Sequence, residues 1–345
     1  MDLTGYFDER EQIASAVTDR FFQAHPEFHT RFGPTGSDYC RKDGTIHLTY
    51  LGEALRCGSP VLFAEYVDWT RTLFEGIGIT TGDFRLYLAD LRTVLAGWDA
   101  GWADTAAAYV GQGIETLDRQ PAANQSFLDG DDPLLGLARS YLANLLALRR
   151  SEASRLIVEA AQSGTPVEDI YLRVFTPVLR ELGRLWHTNV ITVAQEHFCT
   201  AATQMAMSQL YPYIFSAAKR KGRFVGSCVS GELHELGLRM VSDLLELAGW
   251  DTIFLGANVP VGDIVTTLVD NQAQVLGVSA TLTAHLGHAS EIIRAVRAES
   301  RCDHVRILVG GAPFNMDPEL WRRIGADAWA PSAKGAVELV DGWAA

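Results

Sequence analysis

Glu232-Leu233-His234-Glu235-Leu236-Gly237 follows a short apolar run, Phe224 to Val229, and precedes a stretch with helical spacing. A histidine is therefore expected on a strand-to-helix turn at the rim of a sheet. In open parallel sheets ligands lie outside the carboxyl ends of the strands. A neutral imidazole held there is a competent ligand for a transition metal. Glu232, two residues before the histidine, is placed to orient the ring through its second nitrogen.

Outward from this turn, apolar runs alternate with helical runs from residue 222 to the end. The runs are Phe224 to Val229, Thr252 to Leu255, Val275 to Ser279, Val305 to Val309 and a weak one at Ala328 to Ala330. Strands of that size separated by helices imply βαβ units and a parallel, Rossmann-like sheet over 222–345. Residues 134–218 read as a four-helix bundle, with helices near 134–149, 151–163, 167–187 and 193–217. Residues 1–125 read as about six amphipathic helices, as in Ile13-Ala14-Val17-Phe21-Phe22 and Leu88-Leu91-Val94-Leu95-Trp98. A polar, proline-bearing linker is expected between them, from Gln120 to Pro133. The predicted fold class is multidomain, α followed by α/β.

The 345 residues are 48% hydrophobic and 21% charged, ordinary values for a chain with two or three globular domains. The net charge of -13 repels polyphosphate, and no basic arm is present, so nucleic acid is not an expected partner. Acidity concentrates early: through residue 130 there are 10 Lys+Arg against 19 Asp+Glu. No basic-then-apolar leader and no apolar run of about 18 residues is visible, which predicts a cytoplasmic protein without membrane association. Cys40, Cys57, Cys199, Cys228 and Cys302 are scattered and form no CxxC pair, so neither a disulfide framework nor a zinc site is expected. P-loop, nucleophile-elbow, HExxH and GxGxxG patterns are absent, which leaves hydrolase, kinase and dinucleotide readings without support.

Two further groups carry candidate chemistry. In the bundle, Trp186 ends one helix, and Thr192-Val193-Ala194-Gln195 has the form of a capping box opening the next. Glu196 and His197 fall in the first turns of that helix, so an indole, a carboxylate and an imidazole can face one site across a tight joint. In the sheet segment, Ser279-Ala280-Thr281-Leu282 and Gly310-Gly311 follow the third and fourth runs. Glycines admit close backbone approach and hydroxyls hold polar groups, so these loops outline a slot beside His234. His285 and His288 read as first-turn residues of the helix that follows.

Trp186-x9-Glu196-His197, then Glu232-x-His234-x-x-Gly237, then Ser279 and Gly310-Gly311, resembles the adenosylcobalamin-binding modules of light-responsive transcriptional repressors over 134–345. The resemblance implies that His234 is the lower axial cobalt ligand and that the displaced nucleotide tail runs into the slot at Ser279, Thr281, Gly310 and Gly311. It implies that Trp186 and Glu196 contact the adenosyl group, and that His197 can take the upper cobalt site after photolysis. Many cobalamin domains carry Asp where this chain has Glu232.

The acidic N-terminal segment is similar to a globin-like sensor through His25-Pro26-Glu27-Phe28 and His47-x-x-Tyr50-Leu51-x-x-Ala54-Leu55. No His occurs between His47 and His187, so haem ligation of the usual kind is not expected. A globin-like segment joined to a cobalamin light module resembles the photocobilins, which bind biliverdin as well as cobalamin. Arg31, Arg71, Arg85 and Arg92 are then candidates for the bilin propionates, and Phe63, Tyr66, Trp69, Phe74 and Tyr87 for its rings. Neither Cys40 nor Cys57 is expected to attach it covalently. The reading is a light sensor without catalysis of its own, a homo-oligomer with light-dependent contacts, its effector unspecified. The rivals are a corrinoid carrier shuttling methyl groups between methyltransferases, and a haem or redox sensor.

Overall fold

The computed structural model describes residues 2–119, 125–215 and 221–344. The expected linker at 120–124 and the last residues of the expected bundle, 216–218, lie outside them. The chain divides into two compact units: Met1–Pro121 with Thr281–Ser290 and Ala312–Ile324, and Ala122–Ala280 with Glu291–Gly311 and Gly325–Ala345.

The first unit opens with six helices: α1 (Tyr6–Ala24), α2 (Glu27–Phe32), α3 (Gly36–Arg56), α4 (Pro60–Gly76), α5 (Thr81–Ala96) and α6 (Ala103–Thr116). Their apolar residues recur at three and four spacing, and the faces so formed bury Ile13, Val17 and Phe21 of α1, Leu48, Leu51 and Leu55 of α3, and Leu88, Leu91 and Leu95 of α5. Thr80 caps α5 through a reciprocal box with Asp83. One polar group sits deep in this core. His47 is buried, its Nδ1 lies 2.7 Å from the Tyr66 hydroxyl, and the rings of Phe74, Phe84 and Tyr87 surround it. Burial pushes its pKa down to about 3. The later segments of this unit hold a 3₁₀ turn (Thr283–His285) packed on α3 and a short helix at Ala312–Met316 packed on α4.

The second unit begins with a helical bundle: α7 (Leu135–Leu146), α8 (Arg150–Gln162), α9 (Val167–Ile170), α10 (Thr176–His187), α11 (Val193–Ser208) and α12 (Tyr211–Ile214). A π-helical turn, Tyr171–Phe175, joins α9 to α10 without a break. The stretch read as one helix over 193–217 is two. Pro212 lies in the first turn of α12, where its missing N–H is harmless, and inside a continuous helix it would remove a hydrogen bond. Helix α7 stops at Leu146, short of the expected 149, because Leu148 turns left-handed at φ 58°.

Strands β1 (Arg223–Cys228), β2 (Asp251–Gly256), β3 (Val275–Ser279), β4 (Arg306–Gly310) and β5 (Ala328–Trp329) form one sheet in the order β2-β1-β3-β4-β5, all pairs parallel. Each lies within a residue or two of its expected run. Phe224, Val225, Val275, Leu276, Val278, Ile307 and Val309 are buried, as continuous apolar runs of a two-sided parallel sheet should be. Helices α13 (Leu236–Leu247), α14 (Val261–Asp270), α15 (Leu286–Ala298), α16 (Ala312–Met316), α17 (Leu320–Ile324) and α18 (Ala333–Trp343) complete the chain. Helix α13 serves two cores at once: Leu236, Met240 and Leu244 join the bundle core, and Leu238 and Leu245 join the sheet core. The turn before α13 is thereby fixed relative to both. No helix among the described residues is long and apolar enough to cross a membrane.

His47 gives the first unit a specific acid sensitivity. Unfolded, it takes a proton near its ordinary value of 6.5, and folded only near 3. Stability is therefore intact above about pH 6.5 and declines below it, by at most about 1.4 kcal/mol per pH unit. Chemical denaturation at several pH values is expected to show this slope, and His47→Phe should flatten it while lowering stability at neutral pH through loss of the Tyr66 hydrogen bond.

Candidate functional site

The strand order reverses between β1 and β3, and the carboxyl ends of these two strands frame the crevice where open α/β sheets take ligands. Cys228 at the end of β1 pairs with Ser279 at the end of β3, and Ser279 pairs with Gly310 at the end of β4. Two of the expected positions, Ser279 and Gly310, thus line one edge.

The loop leaving β1 is pinned at its start, where the N–H of Gly231 donates to Asn258 Oδ1 at 2.7 Å. Glu232 is fully buried, and its Oε1 accepts the backbone N–H of His234 at 3.0 Å and lies 2.5 Å from His234 Nδ1. The longer glutamate arm therefore reaches the ring. With Nδ1 occupied, Nε2 is the nitrogen left to a ligand, and the side chain that carries it is 59% exposed. The hydrogen bond that the ring donates to Glu232 raises the imidazole above its ordinary value; burial opposes this, and the charges of Glu232 and Glu196 add to it. Gly237 lies in the first turn of α13, and a methyl group there would meet nothing within 4 Å. Gly311 takes φ +115°, open only to glycine.

The bundle supplies the second group. Trp186 occupies the last turn of α10, partly buried against the bundle core. Asn189 turns the chain at φ 61°, and Thr192 and Gln195 form the expected capping box of α11. His197 Nδ1 lies 2.6 Å from Glu196 Oε2, whose other oxygen accepts from the Thr200 hydroxyl at 2.7 Å. The His197 side chain is 68% exposed, and Val190 and Val193 beside it are exposed too. Two links tie this helix to the histidine loop: Gln204 Nε2 donates to Glu235 Oε1 at 3.0 Å, and the Glu196 charge acts on His234. Sequence reading missed Gln204, Glu235 and Asn258, because pairs 31 and 27 residues apart leave no local signature. Two clefts of the same unit, of about 300 and 400 Å³, lie elsewhere, one beside Phe127 and Arg180, the other beside Pro166 and Tyr213.

Thr281 belongs to a segment of the first unit. There, Arg31 pairs with Asp83, Arg85 with Asp118, and buried Arg71 with Asp68 and the carbonyl of Arg119. Arg92 is exposed. Tyr66 and Tyr87 are buried in the aromatic group around His47, and the Tyr87 hydroxyl has no hydrogen-bond partner among the described residues. Trp69 is 38% exposed. Burial pushes the Cys40 thiol up to about 11 and the Cys57 thiol up to about 12, as befits unreactive cysteines.

Two segments of the chain resemble known proteins. Residues 222–340 and residues 137–211 each match a family model described as a B12 binding domain. Dimethylamine corrinoid protein 1 of Methanosarcina acetivorans is 32% identical over 161 residues, 46% of this chain and 72% of the relative. Dimethylamine corrinoid protein 3 of Methanosarcina mazei is 30% identical over 158 residues, 46% of this chain and 90% of the relative. The solved monomethylamine corrinoid protein of Methanosarcina barkeri shares the fold, with TM-score 0.55 and 22% identity over 61% of this chain and 99% of that one. The chain belongs to the corrinoid proteins and binds cobalamin.

The carboxylate-imidazole pair is open to test without any cofactor. Histidine NMR titration of the apoprotein is expected to place His234 above the ordinary histidine value. Glu232→Gln should bring it down, because the amide keeps a hydrogen-bond acceptor and loses the charge.

Proposed function

We propose that the protein is a light sensor that binds adenosylcobalamin between His234 and the Trp186–His197 group, and that it signals through a shift of the bundle rather than by catalysis. Adenosylcobalamin supplies a cobalt–carbon bond that light cleaves. His234 would hold the lower face through Nε2, with Glu232 keeping the ring in register. Gly237 leaves room for a flat macrocycle, and Ser279, Gly310 and Gly311 would take the nucleotide tail. Trp186 would cover the adenosyl group, with Glu196 in contact with it.

The observation that carries this reading is the second carboxylate-imidazole pair. His197 is exposed and held through Nδ1 by Glu196, so its Nε2 can fill the upper cobalt position once that position is vacated. A rearrangement there would bear on the Gln204–Glu235 link and so on the packing of α11 against the histidine loop, a two-state change suited to signalling through subunit contacts. The first unit would contribute a biliverdin site in its aromatic group, where the Tyr87 hydroxyl, without a hydrogen-bond partner among the described residues, would offer a polar contact; of the four arginines, Arg92 is the one that makes no ion pair among the described residues.

The likeness to dimethylamine corrinoid proteins supports a second reading, a corrinoid carrier that passes methyl groups to and from methyltransferases. His234 serves either role. The Glu196–His197 pair is what supports the first reading against the second, since an upper histidine ligand would obstruct methyl transfer.

Purified protein loaded with adenosylcobalamin is expected to change spectrum under green or blue light, to a bound product with two nitrogen ligands. Free adenosylcobalamin is also photolysed, so the decisive readout is the variant: His197→Ala should give a different, water-ligated product. Identical products from wild type and variant, or identical spectra in dark and light, would remove the sensor reading. Preferential retention of methylcobalamin would favour the carrier.

A further inference from the structure

Glu53, Arg56 and Ser59 form a corner between α3 and α4, and this corner grips two segments far away in sequence. The first is Thr281–Ser290, which opens α15. The buried Glu53 carboxylate accepts the backbone N–H of Gly287, one of the donors that the first turn of a helix leaves unsatisfied. Arg56 Nη1 lies 3.5 Å from Glu53, and its guanidinium also covers the Phe7 ring. Gly287 is what permits this approach: a methyl group there would stand 2.1 Å from Arg56 Nη1 and 3.1 Å from Glu53 Oε1.

The second segment is Ala312–Ile324. Ser59 stands at the N-cap position of α4, yet its side chain makes no capping bond. It donates instead to Asp317 Oδ2 at 2.5 Å, giving up a cap that is ordinarily favourable. Asp317 also accepts from Arg323 at 2.5 Å and from the Glu319 N–H at 3.1 Å. Burial alone would raise this carboxyl, and the donors together hold it below the usual carboxylate range.

Both gripped segments are continuations of the sheet loops. Thr281 follows Ser279 by two residues, and Ala312 follows Gly310-Gly311 directly. We infer that the Glu53–Ser59 corner positions the loops that leave β3 and β4, so that the N-terminal helices set how well those loops receive the nucleotide tail of a corrinoid. This rests on the reading above that Ser279, Gly310 and Gly311 take the tail. Glu53, Arg56 and Ser59 are positioning residues that touch no corrinoid themselves.

The test compares hydroxocobalamin with cobinamide, which has the corrin ring and lacks the nucleotide tail, by absorbance titration of the full chain. Glu53→Ala and Ser59→Ala are each expected to weaken cobalamin binding about tenfold and leave cobinamide binding within about twofold. Glu53→Gln, which keeps an acceptor for the Gly287 N–H, should restore most of the loss. Gly287→Ala keeps the Glu53 and Arg56 side chains and should show the same selectivity by displacing the guanidinium. Equal losses for both corrinoids, or no loss for either, overturn the positioning role. Wild-type protein that binds cobalamin no more tightly than cobinamide overturns the tail reading itself, and this inference with it.

Discussion

The hydrogen bonding of His234 to the buried Glu232 carboxylate is the constraint on which the site depends. An imidazole on a surface turn can spin and tilt, and either motion would point its free nitrogen away from a metal. Here a carboxylate with no exposure holds both the ring nitrogen and the backbone N–H of the same residue. The cost of burying Glu232 is offset by those two donors. The turn in turn depends on α13, which is packed into the bundle core on one side and the sheet core on the other. Orientation of one ring is therefore underwritten by two hydrophobic cores.

The bundle repeats the device in a looser form. Glu196 orients His197 as Glu232 orients His234, yet both members of the second pair are accessible and sit at a helix start rather than in a buried turn. The difference suits different tasks. Under the proposed function, a permanent ligand at His234 would benefit from a fixed partner, and a conditional one at His197 from a partner that can yield. The negative charge of Glu196 also acts on His234, so the two pairs share an electrostatic environment.

Much of this was legible in the chain. The five strands show as short apolar runs because both faces of the sheet are covered, and the start of α11 shows as a capping box because its partners lie three residues apart. The pairing of Glu232 with His234 was readable for the same reason of proximity. What escaped is non-local or depends on packing. Gln204 and Glu235 meet only after the bundle has docked on α13, and Ser59 meets Asp317 across 258 residues. The break before α12 is the exception, carried by a local signal, Pro212. Three of the four arginines expected to serve a bilin, Arg31, Arg71 and Arg85, have nearby carboxylates, a contest that composition does not resolve.

The π-helical turn at Tyr171–Phe175 has a consequence for the indole farther along. Such a turn holds one residue more than the α-helical ladder requires. Each residue of an α-helix advances the direction of its side chain by roughly 100°, so the surplus residue sets the rotational phase of everything after it, through α10 to Trp186. Tyr171, inside the turn, is anchored by its hydroxyl to Asp243 at 2.9 Å, on the helix that begins beside His234. The azimuth of the tryptophan is thus indexed to the helix that carries the histidine turn, through a dislocation fifteen residues upstream that conserves helical continuity while resetting its clock.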